Sequence, residues 1–415
     1  MRLLLTLTLL ATTAASAQDR VTLKASTLID GRGKVLHDQK VVVEGGKIVS
    51  ITAASGPVDY DLTGLTLMPG WIDTHVHLQW HMDAHHKAIA GGADPMEMAL
   101  YDAADAWLEL QDGFTTVQSV GSPYDKPARD RIAEGVLPGP HVLTSLIQIQ
   151  GTSPNPGTNG GPPAHAYTTD ELRQLVRQTR ANGADAIKLF ATSGLGAGGG
   201  QTMTDEQIQA VCSEAKAVGL RSVVHAIGDS GARASVLAGC TAIEHGTFVK
   251  DETLDLMVQR GTFFDPNLLV LHNYIENKAS YTFTDEQLKT IADGIAPTID
   301  VLKRARAKGV KIAFGTDAVA GAHGRNAEEM VYRVQEGGEK PMDAILSATS
   351  VSAADLGMGD RIGTLATGFN ADIVAIEGDP LVDITAVRHV VFVMKDGKVM
   401  KNVVHADAAK AAATK

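Results

Sequence analysis

The sequence predicts an α/β fold: a (β/α)8 TIM barrel carrying a small β-sandwich domain assembled from both ends of the chain. Three features predict it. Residues 69–360 alternate strand with helix, which implies a parallel sheet, and the length fits a closed barrel, with a doubly wound open sheet as the alternative. Both flanks are strand-rich instead. Polar residues able to hold a metal fall at the C-terminal ends of successive strands, the face on which such barrels place their chemistry.

The N-terminus reads Met1-Arg2, then an apolar run Leu3–Ala11 too short to cross a bilayer, then Ala15-Ser16-Ala17 as a small-residue cleavage motif. Residues 1–17 are therefore expected to be a secretory signal peptide, and the mature protein periplasmic or secreted; a short membrane anchor is the alternative. Residues 18–68 are strand-like, with Val41-Val42-Val43, a turn at Glu44-Gly45-Gly46-Lys47, and Ile48–Ile51. The same texture returns at Ala371–Ile376 and Val390–Met394, so residues 18–68 and 361–406 are expected to form the sandwich. Residues 407–415 form a frayed end or a short helix.

The middle is built of repeated units. Thr168 with Glu171 makes a capping box opening the helix Leu172–Asn182, and Ala186–Phe190 follows as a buried strand. Thr204 with Gln207 opens a helix running to Ala217, before the strand Ser222–His225. Further helix–strand pairs are Gly231–Ala238 with Ala242–His245, Asp251–Gln259 with Thr262–Asp265, and Asp285–Lys308 with Val310–Asp317. No Gly-x-Gly-x-x-Gly follows the first strand, and Gly196–Gly200 lacks the lysine and spacing of a phosphate loop, so no nucleotide site is expected.

With 415 residues, 44% hydrophobic and 20% charged, the chain has the composition of an ordinary globular protein, and its net charge of −11 argues against a nucleic-acid partner. Cys212 lies in a helical pattern and Cys240 beside a glycine. An oxidising compartment permits a bond between them, but spacing alone does not establish one, and two buried thiols are the expectation.

The chemistry begins at His75-Val76-His77. On a strand, residues i and i+2 share a face, so both imidazoles can converge on one ion. Lys188, His225, His245 and Asp317 lie at or near later strand ends. Taken singly, each has an ordinary alternative: a hydrogen-bonded histidine, an edge lysine, an aspartate capping the next helix. Placed together at five strand ends, they predict a metal-centred site.

The order Pro69-Gly70-x-Ile72-Asp73-x-His75-x-His77, then Lys188, His225, His245 and Gly315-Thr316-Asp317, resembles the amidohydrolase superfamily, most closely its binuclear-metal branch. The β-rich ends match that superfamily's accessory sandwich, so the resemblance covers essentially the whole mature chain. Gly113–Val117, Gly183–Lys188, His225-Ala226, Glu244-His245-Gly246 and His323-Gly324-Arg325-Asn326 resemble a narrower group. It contains imidazolonepropionase-like enzymes, Xaa-Pro and other C-terminal dipeptidases, and ochratoxin-hydrolysing amidohydrolases.

The resemblance implies that His75, His77 and Asp317 bind the more buried of two divalent ions, most naturally zinc, and that His225 and His245 bind the second. Lys188 would bridge the two as a carbamate formed with carbon dioxide; an uncarboxylated Lys188 with a single metal is the alternative. An ammonium has no acceptor and cannot ligate, whereas a carbamate is an anionic oxygen ligand. Two ions sharing a water lower its pKa from about 15.7 towards 7, and Asp317 would carry its proton to the leaving nitrogen. The expected reaction is hydrolysis of an amide or peptide bond in a small molecule or short peptide, releasing a C-terminal amino acid. N-acyl amino acids such as ochratoxin A are included. A homo-oligomer, an octamer among the options, is implied by resemblance.

Substrate contacts are sought at His141, His272, Tyr274 and His323, each equally readable as structural, and in the loop Gln148–Ala166 with Pro154, Pro156, Pro162, Pro163 and His165. His81, His85 and His86 are read as lining or flanking the pocket, with no third metal. Two other functions compete: a cyclic-amide hydrolase or deaminase, and a catalytically silent metal-stabilised binding protein. Deaminase sites place a glutamate just beyond the strand-five histidine; here His225 is followed by Ala226-Ile227-Gly228, which weakens that reading.

Overall fold

A computed structural model describes residues 20–91, 94–153 and 164–404. The expected signal peptide, the tail 407–415 and the four prolines of the 148–166 loop lie outside the described residues.

The first four strands, β1 (Val21–Ile29), β2 (Val35–Glu44), β3 (Lys47–Ala53) and β4 (Tyr60–Pro69), form one half of a seven-stranded sheet. The barrel strands follow: β5 (Trp71–Val76), then, after a two-residue ribbon β6 (His81–Met82) and β7 (Ala88–Ile89), β8 (Phe114–Ser119), β9 (His141–Thr144) and β10 (Gln148–Ile149). β11 (Ala186–Phe190), β12 (Arg221–Gly228), β13 (Ala242–Phe248), β14 (Phe263–Asp265) and β15 (Lys311–Ile312) continue it. β16 (Ile373–Glu377), β17 (Val390–Lys395) and β18 (Lys398–Asn402) return to the first sheet, whose order is β18-β17-β16-β4-β1-β2-β3. That sheet curls on itself, burying Leu23, Ile48, Leu62 and Phe392 inside, while Met68, Val374 and Val393 face the barrel.

Gly70 joins sheet to barrel. A Cβ there would fall 2.2 Å from Thr115 Oγ1, so only glycine lets β4 pass directly into β5. The barrel strands are parallel, in the orders β5-β8-β9 and β10 through β15. β9 and β10 are halves of one strand. The N–H of Asp185 donates to the Thr144 carbonyl at 2.8 Å, and Gln148 is paired with Lys188. The opposite seam closes where the N–H groups of Thr74, Asp317 and His77 donate to the carbonyls of Phe314, His75 and Ala318 at 2.7–2.8 Å. Eight strands therefore form one ring, as the alternating sequence predicted.

Around it run α1 (Pro95–Gln111), α2 (Asp125–Ala133), α3 (Thr169–Ala181), α4 (Asp205–Ala217), α5 (Asp229–Leu237), α6 (Asp251–Arg260), α7 (Leu268–Glu276), α8 (Asp285–Lys308) and α9 (Glu328–Gln335). Both expected capping boxes form, and Thr284 with Gln287 makes a third at the start of α8. Strand parity then decides what points where. Ile187, Leu189 and Val224 face outward into a core with Leu172, Val211 and Val301, which leaves Lys188 and His225 aimed into the ring.

One expectation is corrected. Cys212 and Cys240 are not two free thiols: they are disulfide-bonded, their Cα atoms 5.2 Å apart across a separation of 28 residues. The reason is packing of consecutive outer helices. α5 lies against α4, and the turn leaving it brings Cys240 back beside Cys212.

Candidate metal centre

At the C-terminal mouth of the ring, His75 and His77 meet Asp317 across the closing seam. His77 Nε2 is 3.0 Å and His75 Nε2 3.3 Å from Asp317 Oδ1. Lys188 Nζ is 3.1 Å from His75 Nε2. The His245 ring lies 5.4 Å from that of His75 and 4.6 Å from that of His225, while His225 also stacks on Phe190. All six predicted residues thus share one site. His75, His77 and Asp317 bring their ligand atoms within 4.8 Å of one another, whereas His225 Nε2 is turned to the Ser193 carbonyl at 3.4 Å.

The chemistry of this cluster fits a cation. His75 Nδ1 is 2.8 Å from Glu244 Oε2, and when Glu244 is ionised, which Lys188 favours against burial, Nδ1 carries the proton and donates it to the carboxylate. That leaves a lone pair on Nε2 facing the lone pairs of Asp317 Oδ1. Two acceptors at this distance favour a positive charge beside them, a role that the buried Lys188 Nζ fills on the His75 side at 3.1 Å and that a bound cation would fill between them. His77 Nδ1 is buried with no partner. A carboxylate behind a histidine is the usual support of a metal ligand, fixing its tautomer and orientation. Glu244 is the functional residue that sequence reasoning missed; its signal was an acid in the otherwise apolar run Ala242-Ile243-Glu244.

Electrostatics agree. Burial, reinforced by Lys188, holds His75 well below the ordinary histidine range, and the same causes hold His225 at about 4. Both stay neutral, the form that can ligate. Burial also lowers Lys188 against the pull of Glu244 and Asp317. Burial would raise Asp317, but His75, His77 and Lys188 outweigh it and hold the carboxyl at about 2.

The strand ends are strained into shape. His245 (φ 69°), Asn267 (φ 50°) and Asp317 (φ 53°) occupy the left-handed region, each at a cost of order 1–3 kcal/mol. Asn267 Oδ1 accepts the His245 N–H at 3.1 Å, while its buried Nδ2 has no partner. Asp317 is aimed by its neighbour: Thr316 Oγ1 donates to Asp73 Oδ2 at 2.7 Å, and Asn326 Nδ2 to the same oxygen at 2.8 Å. Beneath, Asp265 accepts from Thr74 Oγ1 (2.9 Å) and from the fully buried Arg333 (3.0 Å). A Cβ on Gly315 would fall 2.0 Å from Asp265 Oδ2, so this loop admits only glycine.

His225, His245 and Asp317 form one wall of a cavity of about 390 Å³, whose other walls include Trp80, Leu195, Ile227, Leu271, Tyr274 and Phe283. Of the four expected substrate contacts, Tyr274 alone lines it. His272 lies two positions away on α7, and helical periodicity turns it outward, stacked on Tyr332 and facing Glu336 at 3.3 Å. His141 begins β9 rather than ending it. It sits at the opposite end of the barrel, between Asp372 and Asp396 of the sheet. His323 is held behind the cavity, Nδ1 2.7 Å from Glu109 Oε1 and Nε2 3.0 Å from the Trp80 carbonyl. His81 is buried and stacked on Tyr101, and His85 and His86 are exposed beside it.

Comparison with known proteins agrees with this geometry. Residues 66–404 match the model of the Amidohydrolase family. The chain is 26% identical over 430 residues to the ochratoxinase of Aspergillus niger, covering 94% of this chain and 88% of that protein. It is 24% identical to the imidazolonepropionase of Geobacillus kaustophilus, covering 89% and 91%. The crystal structure of a Xaa-Pro dipeptidase with methionine bound in its active site superposes with a TM-score of 0.82 at 31% identity, over 92% of this chain and 100% of that one. From the seam between its first and last barrel strands to the sheet made from both termini, the chain belongs to the amidohydrolase family and is a hydrolase acting on C–N bonds.

Proposed function

We propose that this protein is a binuclear metal-dependent amidohydrolase that cleaves an amide or peptide bond and releases a C-terminal amino acid, from short peptides or from N-acyl amino acids of the ochratoxin type. The observation that carries the reading is the facing of His75 Nε2, His77 Nε2 and Asp317 Oδ1 at the mouth of an apolar cavity. His75, His77 and Asp317 would hold one ion, His225 and His245 the other, and Lys188, carboxylated by carbon dioxide, would serve both. The ions, zinc in this reading, supply a water activated near neutral pH and polarisation of the scissile carbonyl.

The chain's own groups do the rest. Asp317 is held ionised, so its free oxygen can take the proton of the attacking water and pass it to the leaving nitrogen. Glu244 keeps the proton of His75 on Nδ1. Trp80, Leu271 and Phe283 exclude bulk water and orient the substrate. The apolar leader and Ala15-x-Ala17 support export to the periplasm or beyond, and among the described residues no helix is long and apolar enough to cross a membrane. The superfamily resemblance supports a homo-oligomer, with an octamer as the form to test.

Metal analysis of purified protein together with an amino-acid-release screen over N-acyl amino acids and dipeptides tests the reading. The expected result is about two zinc equivalents, free amino acid as product, and loss of turnover in Asp317→Asn. One metal with release of ammonia, or an Asp317→Asn variant with undiminished turnover, refutes it.

A further inference from the structure

A second group of ligand-type side chains lies at the opposite end of the barrel, where the sheet meets the start of β9. His141 opens β9, Asp372 precedes β16, and Asp396 sits in the turn between β17 and β18. His141 Nε2 is 3.2 Å from Asp396 Oδ2 and 3.7 Å from Asp372 Oδ2, and the three residues bring ligand atoms within 4.8 Å of one another. Ligands bound to one tetrahedral ion at 2.0–2.2 Å stand about 3.4 Å apart. The catalytic cluster has the same spacing, with His77 and His75 at 3.0 and 3.3 Å from Asp317.

Neither contact of His141 is a hydrogen bond. The longer exceeds hydrogen-bond range, and in the shorter the oxygen stands to the side of the ring N–H. His141 Nε2 and Asp372 Oδ2 are therefore buried without a partner among the described residues, and Asp372 is only 4% exposed. Oxygens beside the axis of a ring nitrogen occupy the places of co-ligands around an ion on that axis. Each carboxylate is fixed through its other oxygen. Asp372 Oδ1 accepts the Asp396 N–H at 2.8 Å, and Asp396 Oδ1 accepts from Asn370 Nδ2 at 3.4 Å. Both Oδ2 atoms are thereby left facing the imidazole.

A cavity of about 480 Å³ has His141 and Asp396 on its wall, giving an entry path and room for water at an ion's remaining position. Lys395 and Lys398 share that wall. Lys395 Nζ is committed to the Gly139 carbonyl at 2.9 Å, and Lys398 is exposed to solvent. Two carboxylates and a neutral imidazole carry two negative charges, which a divalent ion balances, and this mixed nitrogen and oxygen donor set suits zinc and its neighbours.

We propose that His141, Asp372 and Asp396 form a second, separate site for a divalent transition-metal ion of the zinc type, which ties the β17–β18 hairpin to the barrel. Its ion is additional to those of the catalytic cluster. Without an ion, burial works against a proton on His141, but the two carboxylates outweigh it. Zinc has to displace that proton, so this site is the weaker one and fills after the catalytic cluster on titration.

Equilibrium dialysis against graded free zinc, with bound ions counted by elemental analysis, tests this in the wild type, Asp396→Asn and His141→Gln. Asparagine tolerates the left-handed backbone of residue 396 (φ 49°) and keeps an oxygen for Asn370, so that variant loses the charge and retains the turn. The wild type should take up one equivalent that each variant binds at least about 100-fold more weakly, beyond what loss of a merely supporting group produces. Anomalous diffraction from zinc-soaked crystals should place that ion between His141, Asp372 and Asp396. The measurement is a difference between proteins, so the number of ions at the catalytic cluster cancels and the proposed hydrolysis does not enter. Equal zinc uptake by all three proteins, or an additional ion located elsewhere, overturns the proposal and leaves His141 as an imidazolium held between two aspartates.

Discussion

Replacing Glu244 with methionine removes the acceptor of the His75 Nδ1 proton while roughly preserving volume. The pair is 2.8 Å long, fully buried, and made to a carboxylate. A hydrogen bond to a charged group contributes about 1.5–3 kcal/mol net. At about 1.4 kcal/mol per tenfold change in an equilibrium constant, that is one to two decades of affinity for the ion that His75 holds. The expectation is therefore a zinc dissociation constant weakened about 10–100-fold, the range typical for carboxylates that support histidine ligands. Competition against a chromogenic chelator measures it directly. Glu244→Gln, whose amide oxygen can still accept from Nδ1, should recover most of the affinity. Saturating zinc should restore most of the turnover of both variants, because neither replaces a ligand. Unchanged zinc affinity in Glu244→Met would refute the tautomer argument and with it the reason for placing a cation between His75 Nε2 and Asp317.

Further outcomes follow from the surrounding structure. Arg333→Met leaves Asp265 and Glu329 buried without their cation, so the urea midpoint should fall by an amount equivalent to about 3–5 kcal/mol; an unchanged midpoint refutes the role given to this ion network. The Cys212–Cys240 bond closes a loop of 28 residues, for which chain entropy alone gives about 3.5 kcal/mol. The Cys212→Ala/Cys240→Ala protein should melt at lower temperature, and the native protein should show no titratable thiol, with two reactive thiols as the contrary result. His141 is pushed down by burial, but Asp372 and Asp396 outweigh this and raise its pKa to about 9, from 6.5 in the unfolded chain. A folded value above the unfolded one means a stabilising contribution fully present below pH 6.5 and lost as pH rises through about 9. His141→Gln should flatten the stability profile between those limits, and a profile of unchanged slope would contradict the ion pairing.

The metal cluster was legible because parity and topology both constrain it. Ile187 and Leu189 must face the helices, so Lys188 must face the ring, and the alternation of units places each strand end at one mouth. Glu244 was passed over although Ile243 faces the helices and parity turns Glu244 into the ring as it does Lys188. It adjoins His245, and neighbours on a regular strand face opposite sides. The left-handed backbone at His245 brings both into the site, and no residue type announces that φ. The three misplaced histidines share another cause. Nearness in sequence to a strand end does not say which end, as with His141, nor which face of a helix, as with His272. Tyr281 and Phe283 come from the stretch between α7 and α8, where no periodicity marks an apolar residue as pocket rather than packing. The cysteine pair depended on how two outer helices stack, which spacing does not encode.

The seam at which the ring closes has a bearing on biogenesis. Asp73 and Thr316 hydrogen-bond across a separation of 243 residues, and the ligand atoms of His75 and His77 meet that of Asp317 at the same junction. A nascent or proteolytically shortened chain that lacks the final barrel strand therefore keeps both histidines yet has nowhere to assemble the three-ligand cluster. Ion capture at that cluster would then report that the last strand has docked on the first, stabilise the ring against reopening, and spare unfinished molecules from loading a reactive centre.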